Sequence, residues 1–401
     1  MRFATGILTF SRQKGGAERY VADLCARMAR EGHEVHVYTE QWDEEEEDSK
    51  IIFHRIRAFP VPKSLRLLSF ALRATREMEA GGYDLLFGVG NTLRANILQP
   101  HGGVHWAWFW RSLNASGHPL HWTVKFLGRV FSPKQWASGW IENAPYRMKN
   151  LPRFIAISDM VKQDMMRWYG IPEKQITVIY NGVDIERFHP GNRRFREEIR
   201  ARHGLRNELV LLFVSNNFRM KGLGYLLHAL GGMKHENHPP VRLLVLGRDR
   251  KEPYLRIARK LGIPEEVIFA GTTDEPEKYY GAADLLVHPT FYDACSLTVL
   301  EALASGLPVM TSLFNGASGI VDHGKDGWLL EDPRNVDELR RGIRYFFEDR
   351  LRQQVAEQGR RKAEACSEKT NFDRMMQVFT EALTDSKGIE QRTANQSDRI
   401  R

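Results

Sequence analysis

Apolar positions along the chain alternate between two periods. Residues 2–8 form a short apolar run, a polar loop follows to Gly16, and residues 17–30 set Tyr20, Val21, Leu24 and Met28 on one helical face. Gly32 and His33 stop that helix, and residues 34–39 alternate as a strand does. The opening of the chain therefore predicts a strand–helix–strand unit. Further strands are expected at 51–57, 85–89 and 154–157, with helices between them. The rhythm restarts with strands at 209–215, 241–246, 267–270, 284–288 and 308–311, separated by helices at 222–230, 252–261, 275–282 and 297–305. Such alternation predicts parallel sheets in an α/β fold. Three more amphipathic helices are expected at 336–347, 351–365 and 371–384.

The pattern divides the chain into a first Rossmann-like α/β domain, 1–175, and a second, 176–370, joined near 172–189. Residues 104–150 interrupt the first domain's alternation as an insertion, residues 371–386 form a helix that packs back on the first domain, and the polar residues 387–401 read as a disordered tail. A length of 401 residues suits two or three domains, and 42% apolar residues suffice for a core in each. No period of 20–50 residues points to a solenoid.

Charge narrows the partners. The 58 Lys and Arg outnumber the 50 Asp and Glu, a net charge of +8 that suits a nucleotide, a nucleic acid or a membrane surface. Three scattered cysteines, Cys25, Cys295 and Cys366, argue against a disulfide framework or a Cys-rich zinc module and for a reducing compartment. The first residues are too short an apolar run for a secretory leader, and no stretch of 18 apolar residues predicts a membrane span. The acidic run 44–48 reads as a solvated loop. One anomaly stands out: Trp106, Trp108, Trp110, Trp122, Trp136 and Trp140, six of the nine tryptophans, lie in 104–150. They share it with Arg111, Lys125, Arg129, Lys134, Arg147 and Lys149, against Glu142 as its one acid. Trp122, Phe126, Leu127, Val130 and Phe131 form an apolar stripe flanked by Lys125 and Arg129, the make-up of a helix lying in a bilayer interface. An aromatic helix packed on its own domain would read the same way. No nucleic-acid module accompanies the aromatics, so no nucleic acid partner is expected.

The chemistry concentrates in 288–309. An apolar strand ends at His288-Pro289, a loop carries Asp293, and a helix starts after Ser296, whose hydroxyl suits an N-cap. Backbone N–H groups at Ser296 and Leu297 offer an anion site, with Asp293 beside it and Glu301 one to two turns inside the helix. A ligand with a phosphate at the helix start could present hydroxyls to both carboxylates, and a nucleotide sugar is such a ligand.

The acid–seven–acid spacing, followed by Ala-Leu-Ala-Ser-Gly-Leu-Pro-Val at 302–309, resembles the retaining glycosyltransferases of family four, whose GT-B fold pairs two Rossmann-like domains with the donor site in the interdomain cleft. The resemblance implies that Asp293, where the family usually has Glu, contacts the sugar, and that Glu301 binds the ribose. It extends to Gly15-Gly16-Ala17-Glu18-Arg19 as the Gly-rich first loop, to 154–158 as the last strand of the first domain, and to Tyr180-Asn181-Gly182-Val183-Asp184 as the crossover. Lys221-Gly222 matches the opening of the second domain's first helix, and Gly247 ends the next strand. An Arg usual five residues before that Lys is Asn216 here, and Arg219 supplies the second positive charge, as in the lipopolysaccharide core glucosyltransferases. Gly247-Arg248-Asp249-Arg250, with Tyr254 and Arg256, is similar to that subfamily too.

The resemblance thus implies a nucleoside-diphosphate sugar as donor, with Lys221, Arg219 and Arg248 at the diphosphate and Gly15 and Gly16 giving close backbone approach. It gives His101 a contact with the transferred sugar, and it implies transfer without metal or other cofactor. Residues 315–319 read equally as a backbone nest or a plain turn. The acceptor it implies is a lipid-linked envelope glycan, with 104–150 on the anionic inner membrane surface and the enzyme cytoplasmic and peripheral there. A sugar-nucleotide epimerase of related shape and a non-enzymatic membrane-associated scaffold are the competing readings.

Overall fold

The opening strand–helix–strand unit forms as the apolar pattern predicts: β1 (Arg2–Gly6), β2 (Thr9–Phe10), α1 (Gly16–Arg30) and β3 (Glu34–Thr39). Next come β4 (Gln41–Trp42), β5 (Ile51–Arg55), α2 (Lys63–Ala80), β6 (Leu85–Gly88) and β7 (Ile97–Leu98). The computed structural model describes residues 1–43, 50–115 and 119–397, so the acidic run 44–48 lies outside the described residues. Three helices, α3 (His105–Asn114), α4 (Pro119–Val130) and α5 (Pro133–Tyr146), precede β8 (Arg153–Ala156), α6 (Asp159–Tyr169) and β9 (Ile176–Val178).

Two compact units result. The first comprises Met1–Ala107, Val124–Ile179 and the chain from Phe372 on; the second comprises Trp108–Thr123 and Tyr180–Asn371. The first unit's sheet runs β5-β3-β1-β6-β7-β8-β9, with every pair parallel. Strand residues alternate between two covered faces, as parallel sheets require. Phe3, Val35, Val37, Leu85 and Phe87 meet α1 on one face, while Ala4 and Tyr38 meet Phe70, Ala74 and Met78 of α2 on the other. β9 pairs with β8, so the first sheet continues to Val178, beyond the expected domain limit at 175. Its three residues carry too little pattern to mark a strand.

The second unit holds α7 (Arg196–Arg202), β10 (Leu209–Val214), α8 (Leu223–Met233), β11 (Val241–Leu246), α9 (Glu252–Lys260), β12 (Val267–Gly271), α10 (Pro276–Ala282) and β13 (Leu285–His288). It continues through α11 (Leu297–Ala304), β14 (Val309–Ser312), β15 (Trp328–Leu330), α12 (Val336–Tyr345) and α13 (Asp349–Glu364). Its parallel sheet has the order β12-β11-β10-β13-β14-β15, in which the winding direction reverses between β10 and β13. Leu211, Phe213, Leu243, Val245, Leu285 and Val287 fill the core against α8. At the amino ends of β10 and β13, Asp284 is held at 2.6 Å by both Arg196 and Arg200 and accepts the Val210 N–H. Arg200 also donates to the carbonyls of Ala282, Arg206 and Glu208, which locks α7 to the sheet.

The last helix, α14 (Glu368–Ser397), returns to the first unit, where Phe372, Met375, Val378, Phe379 and Ala382 join the cluster around Phe3 and Phe87. The backbone stays helical to Ser397, which corrects the expectation of a disordered tail from 387; residues 398–401 lie outside the described residues. A second correction concerns 104–150, which the contacts divide between the two units instead of placing it wholly in the first. Its outward apolar residues also differ from the expected stripe. Trp122, Phe126 and Val130 are half-buried, whereas Val124, Leu127, Phe131, Trp136 and Trp140 are exposed, Phe131 to 78%. Among the described residues, no helix is long and apolar enough to cross a membrane.

Candidate active site

In open parallel sheets a ligand crevice forms at the carboxyl ends of the two strands where the order reverses. In the second unit those strands are β10 and β13, and the loops that leave them are 215–222 and 289–296. The first carries Arg219 and Lys221, the second Asp293, so topology alone brings together residues 72 apart in sequence. Lys221 Nζ lies 2.5 Å from Asp293 Oδ2 and donates to the Tyr292 carbonyl at 3.2 Å.

Each loop is fixed by its own bonds. Asn217 N–H reaches Ser215 Oγ, Phe218 N–H reaches Asp249, and Arg248 N–H reaches Asn216 Oδ1 at 3.1 Å. Gly222 sits at φ +77°, where a Cβ would stand 2.2 Å from the Pro289 carbonyl oxygen, so glycine lets the two loops close on one another. Gly247, at φ +139°, leaves no room for a Cβ, which would fall 1.7 Å from the Ser215 carbonyl oxygen. Its need for glycine thus arises from backbone packing beneath the site. Asp293 forms an isolated parallel bridge with Asn315: its N–H donates to the Phe314 carbonyl at 3.0 Å and its carbonyl accepts from Gly316 at 2.7 Å.

Asp293 has a third neighbour. His288 Nε2, at the end of β13, lies 3.6 Å from the same Oδ2. Burial pushes the Asp293 carboxyl up, but Lys221 and then His288 outweigh it and hold the group well below the usual carboxylate range. Burial lowers the His288 imidazole, against a smaller opposite pull from Asp293. An ionised acid, an ammonium and a neutral imidazole therefore meet at one oxygen.

Glu301 lies one turn inside α11, where it accepts from the Tyr280 hydroxyl at 2.8 Å. Burial and the adjacent carboxylate drive that phenol well above its ordinary value, so it remains a donor. Ser296 occupies the N-cap position of α11, but its side chain makes no capping bond. Its own N–H donates to Asn315 Oδ1 at 3.2 Å, and that amide also caps 316–320 through Ala317 N–H. Residues 315–319 are thus a short capped 3₁₀ turn. The N–H of Leu297 stays at the open start of α11. Arg219 and Arg248 are exposed and make no ion pair among the described residues.

In the first unit, Gly15 is the extended N-cap residue of α1 and Gly16 opens the helix, with no side chain capping it. The order of strands reverses here too, between β1 and β6, so this uncapped start lies at the corresponding crevice. Tyr20, one turn on, packs its ring 4.1 Å from that of His101, in the loop after β7. Burial pushes His101 down to about 4, leaving a neutral imidazole at neutral pH, and its Nδ1 has no hydrogen-bond partner.

Sequence reasoning assigned no role to His288 or Tyr280, and took Asn315 only as part of a nest or turn at 315–319. A lone His closing an apolar strand, a Tyr in a short helix and an Asn in a loop read as core and turn residues. The proximity that gives them meaning exists only once β10, β13 and β14 are adjacent. Among the described residues, no three His, Cys, Asp or Glu side chains gather as a metal site.

Both halves of this arrangement match known families. A family model described as Glycosyltransferase Family 4 covers residues 14–187, and one described as Glycosyl transferases group 1 covers 195–362, the span that holds Lys221, Asp293 and Glu301. The chain belongs to the GT-B glycosyltransferases, with a family 4 domain followed by a group 1 domain. It is 23% identical over 371 residues to the lipopolysaccharide glucosyltransferase WaaG of Escherichia coli, an alignment covering 87% of this chain and 91% of that protein. The crystal structure of WaaG, a glycosyltransferase involved in lipopolysaccharide biosynthesis, superposes with a TM-score of 0.76 at 20% identity, covering 94% of this chain and 99% of that one. Anabaena HepE, solved with UDP and glucose, superposes with a TM-score of 0.69 at 20% identity, covering 95% and 99%.

Proposed function

We propose that this glycosyltransferase moves a hexose, with retention, from a nucleoside-diphosphate sugar such as UDP-glucose to a lipid-linked envelope glycan, the lipopolysaccharide core. The observation that carries the reading is the pairing of Lys221 with Asp293 at the carboxyl edge of β10 and β13, beside the open start of α11. The similarity to WaaG and the HepE complex with UDP and glucose support the donor and acceptor classes.

Chemically, the anomeric carbon–oxygen bond to the diphosphate breaks as a bond to the acceptor oxygen forms on the same face. The acceptor proton passes to the departing phosphate. Lys221, with Arg219 and Arg248, stabilises the charge that grows on the diphosphate, where preorganised cations act most strongly. The N–H groups at the start of α11 hold phosphate oxygens, Glu301 takes the ribose hydroxyls, and Asp293 orients the hexose. Gly15, Gly16 and His101 serve the sugar from the first unit's crevice. These charges do without a metal ion, so transfer persists in excess chelator; activity abolished by chelator and restored by manganese would refute this.

The enzyme works on the inner face of the cytoplasmic membrane. Exposed Leu127, Phe131, Trp136 and Trp140 enter the interface of an anionic leaflet, helped by the bases around them. Phe59, Val61, Leu65 and Leu72, exposed on α2 and the loop before it, extend the apolar area, and α2 packs against α5.

A panel of nucleotide sugars tested by thermal stabilisation and by transfer to core glycan acceptors checks the reading. One uridine diphosphate sugar stabilises the wild type, and Glu301→Ala loses that effect. A protein that interconverts the sugar without an acceptor is instead an epimerase, and one that no nucleotide sugar stabilises is a scaffold.

A further inference from the structure

His288 is 1% exposed, and neither of its ring nitrogens meets a partner at hydrogen-bond distance. Its backbone is fully committed: the carbonyl accepts from Thr290 N–H and from Thr311 Oγ1, and the ring lies against Phe213 at 6.4 Å. A buried imidazole always carries at least one N–H, and leaving it unsatisfied destabilises the fold. Asp293 Oδ2 lies 3.6 Å from Nε2, just beyond a hydrogen bond, and that oxygen is already taken by Lys221.

The proposed reaction disturbs this arrangement. A diphosphate at the start of α11 competes with Asp293 for the Lys221 ammonium, which rests 2.5 Å from that carboxylate. Once it turns, a partly buried carboxylate loses its counter-charge just when it must stay ionised to hold sugar hydroxyls. Resting on the reading of Asp293 as the sugar-orienting acid, we infer that His288 is a positioning residue whose Nε2–H closes on Oδ2 when Lys221 turns to the diphosphate, keeping Asp293 ionised and aimed at the hexose. The charged groups facing the imidazole are Asp293 and Lys221, and burial keeps the ring neutral. A neutral donor suits the task, because it orients the acid without competing for the diphosphate. Asp in place of the longer Glu holds the carboxylate close to the strand end, within reach of this ring.

Two measurements test the inference. In thermal unfolding of the full-length protein, His288→Leu and Asp293→Asn are non-additive, and their coupling grows in a Lys221→Met background, where His288 is the acid's remaining partner. Additivity in both backgrounds overturns the inference, whatever the protein's activity. In transfer assays, His288→Leu lowers kcat about 10- to 100-fold, the scale at which outer partners of site ligands act. Its donor KM stays within about threefold, and the acid limb of its pH–rate profile moves to higher pH. His288→Gln, whose amide nitrogen reaches the Nε2 position, restores kcat and the wild-type limb. A His288→Leu enzyme with an unmoved limb, or a Gln variant as impaired as the Leu one, refutes the role. Failure of the wild type to use any nucleotide sugar would count against the proposed function alone, because the unfolding cycle decides His288 independently.

Discussion

Lys221 and Asp293 neutralise each other in the free protein, and a bound diphosphate competes for the same ammonium. Lys221→Met therefore loses on the order of 10²- to 10³-fold in kcat, the range for removing one preorganised charge donor, as steady-state transfer assays will read. Titration adds predictions that need no substrate. Glu142, which accepts from His105 N–H and the Tyr169 hydroxyl, is pushed up to about 7 by burial. A carboxyl raised in the folded state holds its proton while the unfolded chain has lost it. Stability therefore falls as pH rises from about 4.5 to about 7. His101, pushed down to about 4, acts oppositely: the unfolded chain binds its proton first, so stability is lost as pH falls from about 6.5 toward 4. The two slopes oppose each other over the shared window, so in chemical denaturation across that range Glu142→Gln makes stability rise more steeply with pH and His101→Gln makes it fall more steeply. At this scale the sequence showed Asp293, Lys221 and Glu301, because a resemblance and their places after strands single them out. It hid His288, Tyr280 and the side-chain contacts of Asn315, all of which depend on strands that are distant in sequence.

Elements do their positioning through backbone fit. At Gly222 a methyl group meets both a left-handed φ and the Pro289 carbonyl. Gly222→Ala should cost about 1–3 kcal/mol of strain and shift Lys221, lowering the denaturation midpoint and transfer together. Asp284, at the opposite end of the same strands, is 5% exposed and carries two arginines. Asp284→Asn leaves Arg200 buried without its charge partner, a loss of about 3–5 kcal/mol, while donor affinity measured on the folded fraction stays unchanged. Long elements were legible because their periods are unambiguous, as in α1, β3, β11 and α12. β7, β9 and β15, of two or three residues, have no period to read and owe their existence to neighbouring strands. Ser296 is a similar case: local chemistry favours a hydroxyl cap, yet its side chain makes none, and its own N–H is held by the Asn315 amide from another loop.

For the whole molecule, the tryptophan-rich segment leaves only part of the expected stripe outward. Periodicity groups Trp122, Phe126, Leu127, Val130 and Phe131, but packing half-buries Trp122, Phe126 and Val130 and leaves Leu127 and Phe131 exposed, as it does Trp136 and Trp140. Serine at those four positions should abolish co-sedimentation with anionic vesicles while thermal stability holds. Trp122 and Phe126 substitutions should mainly lower stability, and unchanged vesicle binding by the fourfold variant would dismiss the membrane-facing role.

The return of α14 sets a timetable for synthesis. Phe3 and Phe87 lie 5.7 and 5.5 Å from the Phe379 ring, so the first sheet reaches its finished core only with residues that follow the second domain. On the ribosome, the opening domain must wait with an uncovered apolar face until the second domain has been made. Such distant pairing slows folding and exposes sticky surface meanwhile. A nascent chain halted at Asn371 should therefore recruit chaperones through its beginning, although every residue of the second sheet is already in place.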